Sequence, residues 1–487
     1  MEFDVVIGLE VHVELKTESK MYCSCKNEFG GVANSHCCEI CLGMPGTLPN
    51  INKKAIEYAI KAGLAFNCQI NTTTKLDRKN YFYPDLPKSY QISQSEQPLC
   101  VGGFIEILLE NGTKSKRINL VQIHVEEDSG KTIYGDADGK TYIDFNRSGV
   151  PLIEIVSKPD LCDATEVKTY LETIKNTVLW LGISDCKMQE GSMRADINIS
   201  LKPKGAIKLG TRCEIKNVGS INGAARAVEC EIKRQKEILE SGRKVEQVTL
   251  KYSDEANENI VARRKDEVVE YRYFVEPDLP AIEISNEEIE ALKLSIGELP
   301  NAKISRLMDE YELPYTDAYL LMEEREKGRF FEETAKISNV EPKKVANWIL
   351  GDISRILNKQ SAPLSSSKLT AQNFKKMLEM IENNSISNTA GKTIIETLME
   401  QDIDPELVAK QKGLLQTSDL KLLEDVAREA LAENKQISEL FEKGKTNVLG
   451  FAVGDCMKRL KGKGNPVLLK DIVLKLLEEG KSRNEKN

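Results

Sequence analysis

No apolar run in this chain approaches the roughly 18 residues that a membrane span needs, and 30% of its 487 residues are charged. The opening stretch, MEFDVVIGLE, carries acids where a signal peptide carries bases, so neither export nor membrane insertion is expected and a cytoplasmic setting is. In such a compartment disulfides are rare, and the twelve cysteines are expected as reduced thiols or metal ligands. Net positive charge is lacking too: 68 Lys and Arg face 76 Asp and Glu, a balance of −8. A general polyanion or DNA binder is thereby disfavoured, and a nucleic-acid surface has to be a local patch. No internal repeat or long low-complexity segment occurs. A phosphate-binding P-loop is also missing. Gly-Lys-Thr occurs at 130–132, 139–141 and 391–393, but never with the glycine five residues earlier that the motif requires. A nucleotide has to be held by another device.

What is present divides into three parts and reads as α+β: a β-rich region over 1–290, a helical region over 291–405, and a small helical tail over 406–487. Branched or alternating residues predict strands at Val5–Val13, Phe104–Leu109, Arg117–Val125, Ile143–Phe145, Leu152–Val156, Ala195–Ser200 and Ala281–Ile284. Three- and four-residue apolar spacing predicts helices at Lys53–Phe66, Thr165–Leu181 and Ile221–Ser241. Beyond these, Asn286 is the expected cap of a helix from Glu287. Further helices are expected at Ala302–Tyr311, Thr316–Lys327, Phe330–Ile337, Pro342–Leu357 and Asp419–Lys435. The last 47 residues carry +5, and Lys458, Arg459, Lys461 and Lys463 crowd a glycine-punctuated stretch ending at Asn465-Pro466.

Two constellations carry chemistry. The first is CSCKNEFGGVANSHCCEIC at 23–41, a C-x-C pair (Cys23, Cys25), twelve residues, then a C-x-x-C pair (Cys38, Cys41). Two close thiol pairs joined by a turn-rich loop suit a tetrahedral, structural Zn²⁺, with Cys37 and His36 as rival ligands. The second is a set of acids inside apolar strands. Glu10 and His12 alternate and share one face of their strand, away from Ile7, Leu9, Val11 and Val13. His124, Glu126 and Asp128 repeat the arrangement, with Glu127 opposite. Glu154 sits within PLIEIVS and Asp196 within RADINIS. Acids in such positions are costly unless paired, protonated or bound to metal. Hard oxygen ligands with an imidazole suit Mg²⁺ or Mn²⁺, ions that commonly hold phosphate oxygens.

One further segment, DRKNYFYPDLPKSYQIS at 77–93, packs three tyrosines, a phenylalanine and three bases into seventeen positions. Its bases can steady phosphates and its rings can stack on a nucleobase. The plain alternative is an aromatic mini-core that anchors a loop.

Taken together, IGLEVHVEL at 7–15, the cysteine pairs with CLGMPGTLP at 41–49, DRKNYFYPDLPKSYQISQ at 77–94, HVEEDSGK at 124–131 and IDFNRSGVPLIEIVS at 143–157 resemble the B-subunit family of the aspartyl/glutamyl-tRNA amidotransferases. MQEGSMRADINIS at 188–200, EIKNVGSI at 214–221 and YRYFVEPDLP at 271–280 do so as well. GFAVGDCMKRLKGKGNP at 450–466 is similar to that family's YqeY-like end. The resemblance runs almost the whole length.

It implies a cradle-like catalytic domain over 1–290 followed by the helical domain and a tRNA-binding tail. It also implies a carbon–nitrogen ligase with glutamine as amide donor. The side-chain carboxylate of Glu-tRNA(Gln) or Asp-tRNA(Asn) is phosphorylated with ATP, and ammonia displaces the phosphate. The ammonia comes from a separate amidase, the A subunit, while the small C subunit completes a heterotrimer. This chain has no amidase Ser-Ser-Lys context, which fits that division. The resemblance implies Mg²⁺ near Glu10, His12, Glu127, Glu154 and Asp196, with Glu126 a further catalytic candidate. Arg78, Lys79, Tyr81, Glu214 and Lys216 are implied around the nucleotide, and Lys458, Arg459, Lys461 and Lys463 against tRNA. The competing reading is a zinc-containing tRNA-binding factor without catalysis. The acids oppose it, because RNA-facing surfaces avoid carboxylates.

Overall fold

A computed structural model describes residues 2–135, 139–216, 218–264, 270–417, 419–442, 445, 447–460 and 462–484. Cα proximity divides the chain into two compact units, 1–305 and 306–487. The first is built on a ten-stranded sheet whose middle is Met193–Pro203, Phe3–Glu14, Pro151–Ser157 and Lys114–Glu127, side by side and antiparallel. Cys213–Lys216, Val248–Ser253 and Glu258–Arg264 extend one edge, where the first two of these pair in parallel. Cys100–Val101 and Gln69–Ile70 extend the other, and Phe104–Leu109 pairs with the early half of Lys114–Glu127.

The strand Phe3–Glu14 shows why the sheet has two unlike faces. Its residues Ile7, Leu9, Val11 and Val13 are buried and pack into a core with Val167, Leu171 and Ile174 of the helix Ala164–Trp180 and Ala224, Ala227 and Val228 of the helix Ile221–Glu240. Period-two alternation then forces Gly8, Glu10, His12 and Glu14 to the opposite face. Each helix begins on a side chain that satisfies orphan backbone N–H groups. Asn52 accepts from Lys54 N and Ala55 N, Asp163 from Glu166 N, and Ser220 from Gly223 N.

The expected strands and first three helices all form, with ends moved by a few residues; the late Ala281–Ile284 segment is only the two-residue strand Ile282–Glu283. The cap near 286 is corrected. Ser285 accepts from Glu288 N while Glu288 reaches back to Ser285 N, a closed capping box, and Asn286 is the first helical residue.

Among the described residues, the named elements of the second unit are all helices. The run expected over Thr316–Lys327 is broken: one helix is Tyr315–Met322 and the next Arg325–Ile337. Gly328 allows the close approach at this break, since a Cβ there would lie 2.2 Å from Met322 Cε. The long Pro342–Leu357 helix carries a wider π-type turn at Ile349–Ile353, whose freed carbonyl at Ile349 accepts from Ser354 Oγ at 2.8 Å. Near the end, Leu423, Ala427, Ala430, Ala452, Cys456, Leu469 and Val473 form a separate small core.

Candidate functional site

The polar face of the sheet forms the floor of a cavity of about 540 Å³. A three-stranded sheet of Phe274–Val275, Asp77–Asn80 and Tyr90–Ser93 supplies Lys79 and Gln91 to its wall, and neighbouring segments add Tyr81, Tyr271 and Tyr273. Register puts the ionisable groups together. His12 pairs with Glu154, Glu154 with His124, and Glu10 with Asp196.

Two ligand sets result. His12, Glu126 and Glu154 each offer an atom within 4.8 Å of the others, and so do Glu10, Asp196 and Glu214. In the first set, His12 Nε2 lies 3.4 Å from Glu154 and 4.0 Å from Glu126. His124 Nε2 bridges the same two carboxylates at 3.3 Å each, and Ser93 Oγ donates to Glu126 at 2.6 Å. In the second, Lys216 Nζ lies 2.7 Å from Asp196 and 2.9 Å from Glu214, while Asn198 Nδ2 donates to Glu10 at 3.1 Å.

The electrostatics follow from this crowding. Burial, then the charges of Glu154 and Asp196, push the Glu10 carboxyl up. Burial opposes charge on Glu126, yet Lys79 and His124 outweigh it and hold this acid down at about 2. Burial likewise disfavours charge on His124, but its bonds to Glu126 and Glu154 lift it to about 9. His12 is also raised against burial, chiefly by Glu154. A proton on His12 thus sits where a divalent cation would compete for the same atoms. Three acids around Glu10 with one lysine leave unbalanced negative charge that a hard cation fits.

Alternation decides between the two neighbouring glutamates. Glu126 shares the cavity face with His124. Glu127 points to the other side of its strand, accepts from Ile92 N at 3.0 Å, and is ion-paired with Lys88. Glu127, which the resemblance puts near the metal, therefore does not line the cavity, whereas Glu126 does. Arg78 is corrected as well. It lies on the opposite side of its strand from Lys79, forks onto Glu276 at 2.7 and 2.9 Å, reaches Asp278 at 2.9 Å, and stacks on Tyr90 at 4.2 Å. Lys79, Tyr81, Glu214 and Lys216 do line the cavity, and the Tyr81 ring meets Tyr271 edge-on at 5.8 Å.

Sequence reasoning missed His124 as the bridge and missed Tyr271 and Tyr273. The signal was there, since Tyr-x-Tyr in an extended segment puts both rings on one side. Phe82 and Tyr83, by contrast, are exposed.

The thiols of Cys23, Cys25, Cys38 and Cys41 also converge, all within 4.8 Å of one another, while Cys37 lies instead near Asn146 at 3.8 Å. Cys38 N donates to Cys41 Sγ at 3.2 Å. A hydrogen bond between Cys23 and Cys41 lowers the Cys41 thiol and raises that of Cys23, as expected when two close thiols share one proton. The set is compatible with zinc.

In the tail, Lys458 and Arg459 occupy the last turn of the helix Val448–Arg459, not the loop. Arg459 is held by Glu433 at 2.6 Å and Asp455 at 3.1 Å. Lys458 and Lys463 are exposed, and Lys461 lies outside the described residues.

Residues 5–290 match the family model of the GatB/GatE catalytic domain, and 329–477 match that of the GatB domain. Over its whole length the chain is similar to proteins named as the B subunit of aspartyl/glutamyl-tRNA(Asn/Gln) amidotransferase. The protein from Clostridium tetani is 46% identical over 479 residues, covering 98% of this chain and 99% of that one. That from Caldicellulosiruptor saccharolyticus is 47% identical over 483 residues, covering 98% and 100%. That from Thermoanaerobacter pseudethanolicus is 44% identical over 473, covering 97% and 99%. With both matched segments and end-to-end relatives, the chain belongs to the B-subunit family of the aspartyl/glutamyl-tRNA(Asn/Gln) amidotransferases.

Proposed function

We propose that this chain activates the side-chain carboxylate of Glu-tRNA(Gln), Asp-tRNA(Asn) or both with ATP and then forms the amide. A carboxylate is a poor electrophile. One of its oxygens attacks the γ-phosphorus, the bond to the bridging oxygen breaks, and ADP leaves. Ammonia then attacks the acyl carbon, and inorganic phosphate departs with the oxygen that attacked. The observation that supports this most is the pairing of two carboxylate-rich ligand sets with two lysines, Lys79 and Lys216, in one cavity.

Phosphoryl transfer asks mainly for alignment and charge neutralisation. His12, Glu126 and Glu154 would hold one Mg²⁺, and Glu10, Asp196 and Glu214 a second; the metal supplies charge neutralisation at phosphate oxygens. His124 fixes the carboxylates of Glu126 and Glu154 through its two 3.3 Å contacts. Lys79 and Lys216 add positive charge beside them, and Tyr81, Tyr271 and Tyr273 wall the cavity. The cysteine set binds structural zinc. Ammonia comes from a partner amidase, the A subunit, and the small C subunit completes a cytoplasmic heterotrimer. The 406–487 tail, distinct from a 291–405 helical domain, holds the tRNA through Lys458, Lys461 and Lys463. Arg459 is the weakest member of that group, because its guanidinium is already committed to two acids.

Reconstitution with the amidase partner and both mischarged tRNAs tests the reading. The expected result is about one ATP consumed per amide formed, loss on chelation, and recovery with Mg²⁺. Amide formation without ATP consumption would overturn it.

A further inference from the structure

Among the described residues, Lys20 is the only lysine with no exposed surface; Lys327 and Lys303, the next most buried, keep 7% and 9%. An ammonium out of reach of water is costly unless an anion answers it. Elsewhere in this chain a buried base meets a carboxylate, as Lys88 meets Glu127 and Arg78 meets Glu276. Lys20 does not. Its Nζ lies 3.3 Å from Phe145 O and 3.8 Å from Cys41 Sγ, and it has no carboxylate partner among the described residues.

The surrounding backbone holds this ammonium in place. Lys20 N donates to Cys25 O at 2.9 Å, which ties the residue into the turn that carries Cys23 and Cys25. Asn52 Nδ2 donates to Lys20 O at 3.2 Å, and Met21 N donates to Gly149 O at 2.8 Å. On the other side, Ser148 Oγ donates to Cys41 O at 3.5 Å, and Gly149 takes a φ of +86°, which glycine adopts without strain. A Cβ at Gly149 would lie 3.5 Å from Lys20 Cδ and 3.6 Å from Cys41 Cβ. The lysine stem thus packs between the cysteine cluster and the 145–149 loop, and its charged end reaches both Cys41 and the loop carbonyl.

The charges explain the arrangement. The Phe145 carbonyl offers only a dipole, and a neutral thiol offers little more. Four thiolates around one Zn²⁺ exceed its charge by two, and such a surplus is as costly to bury as a lone ammonium. Brought together, the two liabilities cancel in part, and a charged N–H donor to a thiolate is the stronger kind of hydrogen bond.

We propose that Lys20 is part of the zinc centre: its ammonium donates to the Cys41 thiolate, offsets one surplus negative charge, and ties the centre to the Phe145 carbonyl. This rests on the zinc reading of Cys23, Cys25, Cys38 and Cys41 given above, and it adds a residue to which the cysteine spacing does not point. The lysine binds no metal itself; it sets the charge and the reactivity of the sulfur.

The full-length chain and its Lys20→Met and Lys20→Gln variants are stripped of metal, then reloaded with Zn²⁺ against a chromogenic chelator and with Co²⁺ for spectroscopy. Met has the length of lysine without its charge, and Gln keeps a donor without the charge. Both variants should bind Zn²⁺ about 10–100-fold more weakly. In Lys20→Met the sulfur-to-Co²⁺ charge-transfer band should move to lower energy, because a thiolate that has lost its hydrogen bond gives up an electron more readily. It should move less in Lys20→Gln. That band reports on the sulfur, and a lysine that only supported the loop would leave it in place. Unchanged Zn²⁺ affinity in both variants, or weaker binding with an unmoved band in Lys20→Met, would overturn the proposal. If Lys20→Met does not fold, Lys20→Gln decides by the same two readings. A wild-type chain that takes up neither Zn²⁺ nor Co²⁺ would instead sink the four-cysteine reading, and the role of Lys20 with it.

Discussion

The four cysteines at 23–41 sit on loop segments outside any named strand or helix, whereas the carboxylates and histidines of the cavity sit on the central strands of the sheet. The two clusters also differ in what they leave open. Four sulfur atoms converging on one point fill a tetrahedral shell and leave no position for a substrate. Each oxygen-rich set offers only three ligand atoms, beside a cavity lined by lysines and tyrosines. The loop cluster is held by scattered turn and side-chain hydrogen bonds and no strand ladder. The strand cluster has its shape already, because the register fixes Glu154 against His12 and Asp196 against Glu10 before any ion arrives. In this unit, the soft donor set lies on irregular backbone and the hard donor sets on regular strands.

The sharpest contrast is a single step along one strand. Glu126→Gln should lower amidation by about 10²–10³-fold, as for loss of one preorganised electrostatic group. Glu127→Gln should cost far less activity and should act through the Lys88 pair. Equal activity losses in the two would erase the distinction between the faces.

That distinction was readable in the sequence. Val-Glu-Glu-Asp can turn only one of two adjacent acids inward, and His124 marks the inward face. The resemblance put Glu127 near the metal with Glu126 as a further candidate, since alternation turns only one of the pair inward; the structure puts Glu126 on the cavity face. The strands and the first helices were legible for the same reason, since Ile7, Leu9, Val11 and Val13 against Glu10 and His12 leave one assignment. Other features depend on contacts distant in sequence and could not be read this way. Arg78 meets Glu276 across 198 positions, and its commitment to that acid is invisible in DRKNYFYPD. Arg459 resembles its lysine neighbours in sequence, and only the fold puts Glu433 beside it. The break near 323 brings Gly328 against Met322, a contact that apolar spacing does not encode.

Arg78→Ala tests the wall of the cavity and not its chemistry. Glu276 is 1% exposed, so removing its partner strands a buried carboxylate and should cost about 3 kcal/mol in a urea titration. Unchanged stability would place Arg78 back among the ligand-binding groups. Cys38→Ser tests the other cluster. It should lose about one Zn²⁺ per chain and expose the 23–41 segment to protease, while the central sheet persists. Loss of amidation with zinc retained would show that these thiols take part in chemistry.

A pH series on chelated protein should show the strand cluster's stored charge. His124 is raised from 6.5 to about 9, so its stabilising contribution is complete below pH 6.5 and is lost as pH rises through 9. In His124→Gln that part of the slope should vanish. A wild-type urea midpoint that is flat from pH 6.5 to 9 would contradict the bridging role. The smallest effects belong to the tail. Lys458→Ala and Lys463→Ala should each reduce the salt slope of tRNA binding by about 0.7–0.9, and Arg459→Ala by less, since its charge is already engaged.

The most direct test of the central claim follows one oxygen atom. Glu-tRNA labelled with ¹⁸O in both side-chain carboxylate oxygens is given to the reconstituted complex with ATP and glutamine, and the released phosphate is analysed by mass. Attack of the carboxylate on the γ-phosphorus predicts one ¹⁸O in each inorganic phosphate formed during amidation. Amide product accompanied by phosphate free of ¹⁸O would show that the cavity does not form an acyl phosphate.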